Sequence, residues 1–302
     1  MTIGVALAET EPYNYVDAIV DKARTAAESG LKSAWFGQRS DYDSPGLAAI
    51  VGREVPGLEV GTAAIPVVGR HPLLVASQAQ TAQAATHGRY HLGLAVGSEL
   101  AAAGFGLPFD RPIARLREFL TALRALLETG TADHHGELLT VTPPMPTRVA
   151  GADPRVPVLV AAMGPQALRV AGELADGILP YLAGPKTLAD HIVPALTKAA
   201  ATPPRIVAFV PGVVTSDVDA TRKNAVRQLA FYERIPSYQR VIGLEGATRA
   251  AELAVIGDEE TVAAQVKRYF DAGATEVVFT TTDLAGEADQ LRTWRLLGEL
   301  VS

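Results

Sequence analysis

One pattern recurs along this 302-residue chain: a short apolar run, a segment with helical spacing, a glycine, and another short apolar run. Ile3 to Ala8 suits a strand buried on both faces, and Tyr15 to Ser29 follows with Val16, Ile19, Val20, Ala23 and Ala27 on one helical face. Gly30 stops that helix, and Ser33 to Phe36 forms the next strand. Gly88 likewise stands before Tyr90 to Ala95, Ala175-Asp176-Gly177 before Ile178-Leu179, and Gly273 before Glu276 to Thr281. Strands joined in this order through helices run parallel. They begin near residues 3, 33, 59, 90, 157, 177, 205 and 276, and eight is the number that closes a (β/α) barrel. An open doubly wound sheet is the alternative, but its Gly-x-Gly-x-x-Gly turn after the first strand is missing. The reading is an α/β chain, a (β/α)8 TIM barrel forming one domain over residues 1–302. Residues 130–156 and 232–256 exceed simple crossovers and read as loops over the active rim or as subunit contacts.

A barrel of this kind carries its site at the C-terminal ends of the strands, so each strand tip is a candidate. The first leads to Glu9, a carboxylate that burial would push toward neutrality and make a general acid or base; alternatively it starts a solvated loop with Glu11. Gln38, beyond the second strand, cannot move a proton and would orient a ring or carbonyl. The third strand ends in Ala63-Ala64-Ile65, where Ala63 and Ala64 leave room for a flat group to lie against the backbone and all three are cofactor-binding candidates, and Gly97 does the same one strand later. The fifth strand runs through Ala162 into Met163-Gly164-Pro165, where a helix amino terminus preceded by glycine makes an anion seat.

Other chemistries find less support. The net charge of -6, with no Lys/Arg run, argues against a nucleic-acid or anionic-membrane surface. Without cysteine there is no disulfide, thiolate nucleophile or thiolate-bound metal. His87 and His91 do not share a helix face, and His134 and His135 lack a third ligand nearby. There is no Gly-x-Ser-x-Gly elbow and no phosphate-binding Gly-Lys-Ser/Thr loop. The N-terminus has no basic leader segment, and no apolar stretch reaches membrane-spanning length, so a cytoplasmic location is expected. The expected partners are a small organic substrate and a second copy of the chain as a homodimer.

The segments Gly30-Leu-Lys-Ser-Ala-Trp-Phe36, Gly61-Thr-Ala-Ala-Ile-Pro66, Arg70-His-Pro72, Gly88-Arg-Tyr-His-Leu-Gly93, Phe109-Asp-Arg-Pro112 with Arg117-Glu118, and Ala175-Asp-Gly177 together resemble the bacterial luciferase-like superfamily. Within it the chain is most similar to the actinobacterial branch of oxidoreductases that use the deazaflavin coenzyme F420. The resemblance implies a luciferase-like barrel with the cofactor ring packed on the third strand, where Ala63-Ala64 matches a non-prolyl cis peptide. It implies a backbone contact at Gly97, a phosphate turn at Ala162-Met163-Gly164, and Glu9 at the place of an acidic proton donor. Sugar-phosphate-oxidising members carry Asp-His where this chain has Gln38-Arg39, so a catalytic base is missing here. The function expected is hydride transfer between F420 and a small organic substrate in the reducing direction, with Glu9, a tyrosine such as Tyr13, or solvent supplying the proton. FMN-dependent monooxygenation is the alternative, and a flavin-binding barrel without turnover a further one.

Overall fold

Eight parallel strands close into a ring in the computed structural model, which describes residues 1–10 and 13–301. They are β1 (Thr2–Ala6), β2 (Ser33–Phe36), β3 (Glu59–Thr62), β4 (Tyr90–Ala95), β5 (Val158–Ala161), β6 (Gly177–Ile178), β7 (Arg205–Val214) and β8 (Glu276–Thr280). Each pairs with the next, β6 joins β7 through Arg205↔Gly177, and β8 returns to β1 through Thr2↔Glu276. The expected closed barrel is what forms, and every strand begins at or beside its expected position.

Local chemistry sets the crossovers. Asn14 caps the helix Tyr15–Glu28, its side chain accepting from the Val16 and Asp17 amides at 3.0 and 3.3 Å. Ile19, Val20, Ala23 and Ala26 bury the inner face, so Ala26 rather than Ala27 occupies the fully buried position. Gly30 ends the turn at φ +96°, with Gly298 of the last helix packed where a Cβ would stand.

Strand parity decides what faces the lumen. Ser33, Glu59, His91, Arg205 and Glu276 point inward at the N-terminal end and form one connected polar plug. Above them Trp35, Leu159, Leu179, Val207, Phe209 and Val278 make a separate apolar cluster inside the barrel. The Trp35 indole fills room left by Gly61, where any Cβ would run into its ring.

The second long region builds its own small core. β7 extends past the rim, where Gly212 to Val214 pair with the short strand Val255–Gly257. Val213, Leu229, Ile242, Leu253 and Leu284 pack there, carrying the helix Pro236–Glu245 and its neighbouring turn over one side of the barrel mouth. The first long region forms the antiparallel pair His134–His135 and Thr140–Val141, held by Glu118, whose carboxylate accepts from the amides of Glu137, Leu138 and Leu139 at 2.9–3.1 Å. Among the described residues no helix is long and apolar enough to cross a membrane.

Candidate active site

Continuing the inward-facing parity to the C-terminal rim gives Ala6, Gly37, Ala63, Ala95 and Ala161 on the adjacent strands β1 to β5, then Tyr181, Phe209 and Thr280 on β6 to β8. The mouth is therefore lopsided. Five neighbouring strands end in side chains no larger than a methyl, while the other three end in two aromatic rings and a threonine. Ala6, Ala63, Ala64, Ala161 and Tyr181 are half-buried against the apolar cluster below. The result is a shallow apolar seat with a tall wall on one side.

Ala63–Ala64 is a cis peptide, with the Ala63 amide donating to the Phe36 carbonyl at 2.8 Å. The next residue, Ile65, is fully buried in the main core and pairs with Leu94, so it offers only backbone to the rim. Gly97 adopts φ +95°, and a Cβ there would lie 2.6 Å from Val68, so both the backbone and the packing call for glycine. Ala162 is buried, whereas Met163 and Gly164 lie half-exposed at the rim. Gly164 precedes the helix Pro165–Leu174 with no side-chain cap, and a Cβ on it would meet nothing within 4 Å. The first amides of that helix are thus left uncapped by any side chain, as an anion seat needs.

The two polar candidates are engaged otherwise than expected. Glu9 is not driven upward by burial: Lys22 ion-pairs with it at 2.8 Å and holds its carboxyl below the usual carboxylate range, helped by the Thr10 amide. It is ionised at neutral pH, where it lacks a proton to donate. Gln38 is taken up by its own loop and by Arg70. Its amide nitrogen donates to the Arg39 and Tyr42 carbonyls at 2.6 and 2.5 Å, and its oxygen accepts from Ser44 Oγ and from Arg70 at 3.0 and 3.1 Å. Arg39 is paired with Asp41 at 2.9 and 3.0 Å. Tyr13 is fully exposed, and Glu11 lies outside the described residues.

Sequence reasoning missed Tyr181 and Thr280. Tyr181 stacks edge-on with Tyr232 and Tyr238, at centroid distances of 5.0 and 6.0 Å, so the insertion supplies the upper part of the wall. Counting in twos from Gly177 and Glu276 would have found both. Among the described residues no group of three or more His, Asp or Glu is placed to hold a metal ion.

The family model for luciferase-like monooxygenases matches residues 1–276. The 5,10-methylenetetrahydromethanopterin reductase of Methanopyrus kandleri is 25% identical over 304 residues, covering 84% of this chain and 86% of that protein. An F420-dependent secondary alcohol dehydrogenase, solved with an F420-acetone adduct, superposes with a TM-score of 0.80 at 17% identity, covering 99% of this chain and 97% of that one. The FMN complex of the oxygenating constituent of 3,6-diketocamphane monooxygenase, a type II Baeyer-Villiger monooxygenase from Pseudomonas putida, gives 0.79 at 16% identity, covering 100% and 98%. With the match running through seven of the eight barrel strands and into the last, the chain belongs to the luciferase-like monooxygenase family.

Proposed function

We propose that this protein is a coenzyme F420-dependent oxidoreductase that transfers a hydride between the deazaflavin and a small organic substrate, in the reducing direction. The arc Ala6, Gly37, Ala63, Ala95 and Ala161 carries the reading, because five adjacent strand tips with nothing larger than a methyl leave room for a flat apolar group against the third strand. The bound cofactor would supply two-electron hydride chemistry. Ala63 and Ala64 would back its ring, Gly97 would let the chain pass close to it, and the Met163-Gly164 turn with the uncapped helix behind it would hold its phosphate.

The second strand supports the reducing direction. Oxidising an alcohol needs a base for the hydroxyl proton, and Gln38 and Arg39 provide none. Reduction needs only a proton source. An FMN monooxygenase is the second reading, since the same seat suits an isoalloxazine ring and an FMN enzyme superposes almost as well as an F420 enzyme.

Titration with both cofactors tests the ranking. F420 is expected to bind with Kd near about 1 μM or tighter, worth about -8 kcal/mol, and FMN more weakly. Tighter FMN binding with oxygen consumption would reverse the order.

The Lys22 pair sets a second expectation. Glu9→Gln should leave turnover within about threefold, because an ionised carboxylate was not the acid. Since folding lowers the Glu9 pKa, its contribution to stability is complete above the ordinary value of 4.5 and disappears as pH falls through the lowered one. The variant should therefore lose part of the wild-type stability at pH 7 and match it in acid, as thermal melts at the two pH values would show.

A further inference from the structure

On the tall side of the rim, Tyr181, three residues beyond the end of β6, bridges to Phe209 of β7, and Thr280 ends β8 on the far side of Phe209. Thr280 Oγ1 is buried and, among the described residues, meets no partner in full hydrogen-bond geometry, the Tyr181 hydroxyl being near enough only to lower that phenol's pKa. Thr281 Oγ1 beside it is also buried without a hydrogen-bond partner among the described residues, on a β-branched residue whose φ of +49° lies in the left-handed region. Such strain on a threonine persists where the surroundings impose it, and it concentrates at functional sites. The next hydroxyl, Thr282, is fully used, accepting from Gln290 and Trp294 at 3.0 and 3.2 Å. Two of the buried unpaired hydroxyls among the described residues are thus adjacent at this side of the mouth, where a ligand would complete them; the others are on Tyr15 and Tyr90.

Resting on the reading above, we propose that Tyr181 is the proton donor to the substrate and that Thr280 positions the same substrate atom. The substrate class is a small molecule with a polarised double bond, C=O or C=N, whose heteroatom lies between the two hydroxyls. Hydride from the reduced deazaflavin adds to the carbon, the π pair moves to oxygen or nitrogen, and that atom takes the phenolic proton. Water then reprotonates Tyr181. Three features of the wall suit the role. Tyr181 packs against the apolar cluster of the lumen on which the small strand tips also rest. Its ring is braced by Tyr232 and Tyr238, themselves 4.9 Å apart, which fixes its direction. Burial pushes its pKa far upward, with Tyr232 and Tyr238 adding to the shift and Thr280 offsetting part of it, so it keeps its proton until substrate charge develops.

The test uses cyclohex-2-en-1-one labelled with 13C at the carbonyl, titrated by NMR into the whole protein with and without oxidised F420. Wild type should show a saturable downfield shift of the carbonyl carbon, the mark of a hydrogen-bond donor. Tyr181→Phe should remove the bound shift, and Thr280→Val should reduce it. With reduced F420, Tyr181→Phe should also slow reoxidation by the enone about 100-fold or more, with F420 affinity unchanged. The phenylalanine variant keeps the ring packing, and an unaltered melting temperature checks this. No saturable shift in wild type, or a full shift in Tyr181→Phe, overturns the proposal. The titration without cofactor reads Tyr181 whether F420 or FMN proves to be the ligand, so failure of the cofactor assignment stays distinguishable.

Discussion

Ala64→Phe should abolish cofactor binding in a protein that remains folded. Ala63 and Ala64 lie half-buried on the apolar cluster of the lumen, with Ile65 anchored behind them by its pairing with Leu94. In the free protein the new ring has the open mouth to occupy, so the cost of overfilling stays at the low end of about 1–3 kcal/mol. If F420 binds at the proposed seat, the ring and the cofactor claim the same volume. Affinity should fall by about 100-fold or more, about 2.7 kcal/mol, while the circular dichroism spectrum stays near wild type. Ala64→Gly, which adds no bulk, should bind within about threefold of wild type, a difference below about 1 kcal/mol. Unchanged affinity in the phenylalanine variant would place the ring elsewhere on the rim.

That prediction rests on a feature half legible in the sequence. The eight strands were, because short apolar runs and glycine punctuation are local signals, and each element that gave them formed where expected. The small residues at the third and fourth strand tips were legible for the same reason. The wall opposite was not. Tyr181 and Thr280 become neighbours only once the ladder β6-β7-β8 fixes which parity faces inward, and the insertion that braces Tyr181 reaches it from more than fifty residues away. The partners of the two polar candidates were hidden for a related cause. Lys22 meets Glu9 across the turn of the first crossover, and Arg70 reaches Gln38 from 32 residues along the chain. Whether a tip carboxylate or amide is free depends on partners that composition and spacing do not specify.

The same dependence on distant partners makes the opposite end of the barrel the place where one substitution should cost the most stability. Glu276 is buried, with a side chain only 3% exposed. One carboxylate oxygen accepts from Ser33 Oγ at 2.5 Å and Trp35 Nε1 at 3.0 Å, and the other from Arg205 at 3.0 Å. Arg205 also donates to His91 Nδ1 at 3.1 Å, which places the imidazole proton on Nε2, facing the Glu59 carboxylate at 2.6 Å. One guanidinium therefore fixes a buried charge and a tautomer together. Removing it in Arg205→Met leaves Glu276 with neutral donors only, and a buried charge stripped of its partner costs about 3–5 kcal/mol. Arg205 itself is 34% exposed, so water can partly replace it, and about 3 kcal/mol is expected. At about 2–4 °C per kcal/mol for a chain of this size, the melting temperature should drop by about 6–12 °C. Adding Glu276→Gln should recover more than half of the loss, because an amide needs no counter-charge and can still accept from Ser33 and Trp35. A double variant no more stable than Arg205→Met would show that the guanidinium acts through packing or through His91 alone. F420 affinity should be the same in all three proteins, since the plug lies at the N-terminal end of the barrel, where residues serve stability, and the seat lies at the other.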